Sequence, residues 1–161
     1  MLIYNGGDML SVATQAQKAE ENAQLRAMGF EVWSPQEDKE INDKQHQTQE
    51  SNDHLAELIF EHDTIGMEEA DIIIFEVANT NVGTCVEIGQ MAQDARLSEI
   101  TAGRKPKVYF HSYDIRRTNI PETGDRRSTS INQYLYGAIL SLNPKGIQSW
   151  DEIVEELERW L

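Results

Sequence analysis

Apolar and polar positions fall in alternating blocks along this chain. Leu2-Ile3-Tyr4 is a short apolar run stopped by Asn5-Gly6-Gly7-Asp8, which predicts a first strand and a glycine turn. Over residues 11–28, Val12, Ala16, Ala19, Ala23 and Leu25 recur at helical spacing, and Gly29 stands where a helix C-cap is expected. Phe30-Glu31-Val32-Trp33 reads as a second strand ended by Ser34-Pro35. Residues 36–53 are polar and predict a surface loop or the solvated start of a helix. Leu55, Leu58, Ile59, Ile65 and Met67 then mark a second helical face over residues 54–69. Ile72-Ile73-Ile74-Phe75 follows, the strongest strand signal in the chain, and its unbroken apolar character predicts burial on both faces.

After a turn at residues 79–83, Val86, Ile88, Met91 and Ala92 predict a third helix ending near Leu97. Lys107-Val108-Tyr109-Phe110 is a fourth strand, and residues 111–130 are polar. Residues 134–142 predict a further helix, Ile147 and Trp150 a short final strand, and residues 151–161 a closing amphipathic helix. Strands alternating with helices imply a single-domain α/β fold over residues 1–161. The expected architecture is a mostly parallel, doubly wound (Rossmann- or flavodoxin-like) sheet of about five strands with helices on both faces.

Charge narrows the partners. The chain carries 14 Lys plus Arg against 28 Asp plus Glu, a formal net charge of -14, which disfavours a nucleic-acid polymer and an acidic membrane surface. Cys85 is the single cysteine, so no intrachain disulfide forms, and it has no CxxC partner; neither a metal nor a cofactor is expected. No apolar run reaches the roughly 18 residues of a membrane span. No basic-then-apolar leader opens the sequence, so cytoplasm is the expected compartment.

In an open parallel sheet, ligands bind beyond the carboxyl ends of the strands. Tyr4 to Asp8, Pro35 to Asp38, Glu76 to Glu87 and the residues from His111 onward occupy those positions. Gly6-Gly7 lacks a phosphate-loop pattern and carries Asp8 without a basic residue, so it reads as a tight turn ahead of a phosphate cradle. Glu87 falls in the first turn of the third helix. A helix dipole alone would stabilise a carboxylate there. Its small and apolar neighbours, with Gly83 and Gly89 flanking it, instead fit a partly desolvated group beside a ligand. Asp71 sits at the far end of its strand and reads as structural. The four histidines show no ligand spacing, and none is assigned to catalysis.

Several of these segments together resemble the nucleoside 2-deoxyribosyltransferase family, which includes the related deoxynucleoside monophosphate N-glycosidases. They are Ile3-Tyr4, Ser34-Pro35-Gln36-Glu37, Asp63 eight residues before Asp71, the aliphatic strand, and Gly83-Thr84-Cys85-Val86-Glu87-Ile88-Gly89. Ile131-Asn132 matches a later family segment. The resemblance implies that Glu87 attacks the anomeric carbon of 2-deoxyribose to form a covalent intermediate, that Asp63 is the acid and base, and that Tyr4 orients Glu87. It further implies substrate contacts from Asn81, Gly83, Gly6, Gln36, Glu37 and Asn132, with Gln36, Glu37 and Asp38 near the base, although that segment reads equally well as an exposed polar loop. The implied partners are a 2'-deoxyribonucleoside and a free nucleobase, in a homo-oligomer whose subunits share active sites.

Transfer and hydrolysis part at Asn81. The transferases commonly carry an Asp six residues before the nucleophile and the monophosphate hydrolases a Ser, and a neutral amide fits either. The acidic first loop favours a neutral nucleoside over a phosphate. A deoxynucleoside 5'-monophosphate N-glycosidase is the alternative, kept open by Arg116, Arg117, Arg126 and Arg127. A non-catalytic nucleoside- or nucleotide-binding module is the third reading.

Overall fold

The computed structural model describes residues 1–43, 45, 48–101, 105–117 and 129–161. Five strands alternate with helices: β1 (Leu2–Gly6), α1 (Val12–Ala27), β2 (Glu31–Trp33), then a 3-10 turn at Pro35–Glu37. The short helices α2 (Lys39–Asn42) and α3 (Gln49–Asp53) lead into α4 (Leu55–Glu69). The chain continues through β3 (Ile72–Glu76), α5 (Val82–Thr101), β4 (Lys107–His111), a 3-10 turn at Ile115–Arg117, α6 (Gln133–Leu142), β5 (Ile147–Gln148) and α7 (Trp150–Glu158). The polar stretch after Ser34 is therefore built from short helices, one capped by the Asp38 side chain on the Glu40 and Ile41 amides.

All neighbouring strands are parallel, in the order β2-β1-β3-β4-β5. This is the doubly wound α/β architecture, and its strand order reverses between β1 and β3. Every residue of β3 is buried, as its continuous apolar run predicts. Because side chains alternate along a strand, the sheet has two distinct faces. Tyr4, Ile73, Phe75, Val108 and Phe110 pack with Met67 of α4, Ile88 and Met91 of α5, and Leu135 and Ile139 of α6. Ile3, Ile72, Ile74 and Tyr109 pack with Leu25 of α1 and with Ile153 and Leu157 of α7. Asp71 ties the foot of the sheet together by accepting the Leu2 amide at 2.8 Å.

Two helices depart from the apolar faces read from sequence. In α1, Val12 is 87% exposed and Ala16, Ala19 and Ala23 also face solvent. The buried side of α1 is Lys18, Glu21, Asn22 and Leu25. Its polar members lie over the carboxyl ends of β1 and β4, where the same sheet face presents Asn5 and His111 instead of aliphatics. In α4, Ile59, Phe60 and Ile65 are exposed, whereas Gly66 and Met67 are buried. Trp33 lies against Gly66, with indole Nε1 2.7 Å from where a Cβ would stand, so helix and strand meet through an aromatic ring and a bare backbone.

Candidate functional site

The carboxyl edge of β1 and β3 carries the site. Tyr4 is fully buried in β1, its ring edge-on to Phe75, and its hydroxyl donates to Glu87 Oε1 at 2.7 Å. Glu87 lies in the second turn of α5, whose start is organised by Asn81. The Asn81 Oδ1 accepts from the Thr84 amide at 3.3 Å, and Nδ2 donates to Thr84 Oγ1 at 2.7 Å. Gly83 stands one turn before Glu87 on the same side of α5. Gly89 lies on another side and lines a groove against α6.

Two carboxyl groups meet here under opposing influences. Burial pushes the Glu87 carboxyl above its ordinary range, while the Tyr4 and Thr84 hydroxyls and the Lys18 charge pull it back. Asp63 projects from α4. Burial, then the negative charge of Glu87 and that of Asp38, raise it to about 7. One carboxyl group is thus supplied with donors and a cation that favour its charge, and the other is set to hold a proton near neutrality. Carboxyl groups with environments that diverge in this way are common at acid–base sites.

The loop after β2 reaches the same region. Asp38 Oδ2 lies 2.6 Å from His62 Nδ1, next to Asp63, and this hydrogen bond is the main reason that the His62 imidazole is raised. No role was read for His62 from sequence; its adjacency to Asp63 is the one signal that could have found it. Gln36 donates through Nε2 to the Gln15 carbonyl at 3.2 Å, and its Oε1 is buried without a hydrogen-bond partner. Glu37, expected beside a base, instead engages Arg26 through both oxygens (3.0 and 2.5 Å) and accepts from Asn22. That ion pair holds the loop to α1 and leaves the carboxylate little capacity for a ligand.

The remaining sequence candidates are dispersed. Asn132 caps α6 by accepting the Tyr134 and Leu135 amides. With Asn79, Val82, Cys85, Gly89 and Tyr134 it lines an open groove of about 810 Å³ between α5 and α6. Arg116 borders this groove and pairs with Asp114 at 2.6 Å, and Arg117 donates to the Thr129 carbonyl. Arg126 and Arg127 lie outside the described residues, as does His46. Glu76, at the carboxyl end of β3, is buried and accepts the Asp8 amide at 3.1 Å. The described residues contain no cluster of His, Cys, Asp and Glu fit to hold a metal ion, and no described helix is long and apolar enough to cross a membrane.

Gly6 sets the packing beneath this site. A Cβ at Gly6 would stand 2.7 Å from Tyr4 Cε1 and 3.3 Å from Phe75 Cδ1, and neither buried ring has space to retreat. Gly6→Ala is expected to cost about 1–3 kcal/mol of stability, as overpacked core substitutions do, and to turn Tyr4 away from Glu87. Urea denaturation together with turnover measures both effects; an Ala variant as stable and active as the parent would contradict this packing.

A doubly wound parallel sheet with two partly desolvated carboxyl groups, one of them held by a buried tyrosine hydroxyl, beyond its strand ends is the architecture of a small-molecule site. The nucleoside 2-deoxyribosyltransferase family model matches residues 3–123, and the chain belongs to that family. Among solved structures, the chain is similar to the 2-deoxyribosyltransferase of the psychrotolerant bacterium Bacillus psychrosaccharolyticus. The TM-score is 0.56 and the identity 17%, over 86% of this chain and 82% of that one, a likeness of fold. No curated protein sequence matches the chain significantly.

Proposed function

We propose that this protein transfers 2-deoxyribose between nucleobases through a covalent deoxyribosyl-Glu87 intermediate. The observation that carries this reading is the Tyr4 hydroxyl on Glu87 at 2.7 Å beside an Asp63 raised to about 7. A carboxylate Oε of Glu87 attacks the anomeric carbon as the bond from that carbon to the base nitrogen breaks, and the bonding pair leaves with the base. Protonated Asp63 gives its proton to the departing base, and the carboxylate left behind takes one from the incoming base. That base attacks the same carbon and displaces Glu87. Tyr4 directs the attacking carboxylate, and its donated hydrogen bond stabilises the charge lost and regained in each half-reaction.

In this reading Gly83 leaves space beside Glu87 for the sugar, Gly6 lets the Tyr4 ring pack where it reaches Glu87, and the unpartnered Gln36 Oε1 accepts from a donor on the base. Asn81 serves the sugar only if its amide exchanges its Thr84 partner, and Asn132 only where a neighbouring subunit or substrate reaches the α5–α6 groove. Exposed Ile59, Phe60, Val82, Val86 and Tyr134 supply apolar surface for a homo-oligomer. The first loop brings Asp8 and Glu76 together, and Arg116 is already paired with Asp114, which supports a neutral nucleoside over a monophosphate.

Deoxyinosine plus adenine, and separately a deoxynucleoside monophosphate, followed by chromatography of free bases, test this assignment. Formation of deoxyadenosine is expected. Base release from the monophosphate alone would make the protein a hydrolase, and no turnover with ligand binding retained would make it a binding module.

A further inference from the structure

Asn81 stands immediately before α5, and its carbonyl accepts the Cys85 amide at 3.1 Å as the helical ladder begins. Its side chain closes a small ring with one residue: Oδ1 accepts the Thr84 amide at 3.3 Å, and Nδ2 donates to Thr84 Oγ1 at 2.7 Å. The backbone bond decides which way the side-chain amide faces. A backbone N–H can only donate, so the atom turned to it is the oxygen, and the nitrogen is left for the hydroxyl. Asn81 Oδ1 also lies 3.7 Å from where a Cβ of Gly83 would stand, so the side chain folds back over the first turn of the helix.

Thr84 is 3% exposed, so its hydroxyl is withdrawn from bulk water. A threonine hydroxyl has one proton to give, and with Asn81 donating to its oxygen that proton must go to another acceptor. Glu87 is placed to take it. Residues three apart share a helix face, and helical side chains lean toward the N-terminus, so the Glu87 carboxyl lies back over Thr84. Tyr4 holds Glu87 Oε1 from β1, and the Thr84 hydroxyl favours the charged form of the same carboxyl from α5. The other groups whose charge reaches it are Asp63 on α4 and Lys18 on α1.

We propose that Asn81 is a positioning residue for the nucleophile: by donating to the Thr84 hydroxyl it commits that hydroxyl's proton to Glu87, which is then held by two aimed hydroxyls, one from β1 and one from α5. This rests on the reading of Glu87 as nucleophile. A carboxylate at position 81 would reverse the relay. Asp presents an oxygen to the Thr84 amide and hydroxyl alike, so the Thr84 proton would turn to it and Glu87 would keep Tyr4 alone. Asp caps a helix as well as Asn does, so the start of α5 would persist. The choice between amide and acid at this position thus sets the direction of a hydrogen bond beside the nucleophile.

Thr84→Val removes the donor, Thr84→Ser keeps it, and Asn81→Asp turns it away. Two measurements apply to each: carbon NMR titration of side-chain-labelled glutamates, with Glu87 assigned by the signal missing from Glu87→Gln, and kcat and KM of base exchange against pH. Thr84→Val and Asn81→Asp are expected to move the Glu87 midpoint and the acid limb of kcat to higher pH. Their kcat at pH 5 should fall roughly 3- to 10-fold, the scale of one hydrogen bond to a charged group, with KM nearly unchanged. Thr84→Ser is expected to keep the parental midpoint. Asn81→Asp also adds a negative charge, and the double variant Asn81→Asp with Thr84→Val separates the two effects. Its shift should be smaller than the sum of the single shifts, because the hydroxyl can be lost only once. Additive shifts, or a folded Thr84→Val with the parental midpoint, would overturn the proposal. A raised KM in Asn81→Asp with the midpoint unmoved would overturn it as well and make Asn81 a sugar ligand. If the parent exchanges no bases, the transferase reading falls, while the NMR titration still decides whether Asn81 and Thr84 govern Glu87.

Discussion

Glu87→Gln is expected to lower base exchange by on the order of 10^4-fold or more, the scale on which loss of a covalent nucleophile acts. The amide is nearly isosteric, and its oxygen still accepts the Tyr4 hydroxyl, so the geometry of β1 against α5 persists. What disappears is the electron pair that traps the anomeric carbon. Because burial disfavours the charged form of Glu87, the neutral variant is expected to melt no lower than the parent. Stopped incubations with a deoxynucleoside should yield, for the parent alone, a protein mass increased by one deoxyribosyl group. Glu87→Gln that retains a tenth of the parental rate would refute the double displacement.

Asp63→Asn is expected to cost roughly 10^2- to 10^4-fold, the range of a positioned general acid, with the smallest loss for substrates whose base departs without a proton. The pH profile follows from the same residue. Asp63 holds its proton up to about 7, so the rate of base departure should fall as pH rises past that value, and the variant should lose this basic limb. Stability also falls with rising pH, over a lower window. Between the ordinary value of 3.8 and about 7, the native state binds a proton at Asp63 that the unfolded chain has released. Folding stability contributed by this group therefore declines as pH rises through that window. Asn cannot ionise, so at pH 8 the variant should melt above the parent, and below pH 4 the difference should vanish. Equal melting temperatures at pH 8 would show that Asp63 pays no burial cost.

The sheet was legible in the sequence because its signals are local. Ile72-Ile73-Ile74-Phe75 is apolar at every position, and a strand buried on both faces needs that. The placement of Glu87 past a strand end was legible for a similar reason, since the carboxyl edge of a parallel sheet is where helices begin. The inward side of α1 was not legible. Periodicity assigns the apolar side of a helix to the core, but Lys18, Glu21 and Asn22 turn inward because Asn5 and His111 wait on the sheet. Only the pairing of polar with polar across a large sequence separation reveals this. Tyr4 and Glu87 are 83 residues apart, so no spacing within either segment reports their contact. The ion pair of Glu37 was not legible for the complementary reason: an acidic residue in a loop near a site looks available until its Arg26 partner, 11 residues earlier, is seen.

Tyr4 has one more consequence, and it concerns motion. Its ring is locked between β1 and Phe75 in the centre of a parallel sheet, so its hydroxyl has the amplitude of the sheet backbone and no more. A carboxylate tethered to that hydroxyl inherits the same stillness. In the proposed reaction, the conformational work of admitting a nucleoside and releasing a base is expected to fall on the opposite wall, where Asp38 and His62 join a short-helix loop to α4 by a partly buried hydrogen bond. For the proposed reaction the Glu87 side is expected to stay fixed and the Asp63 wall to move, which puts any slow opening step on that wall of the cleft.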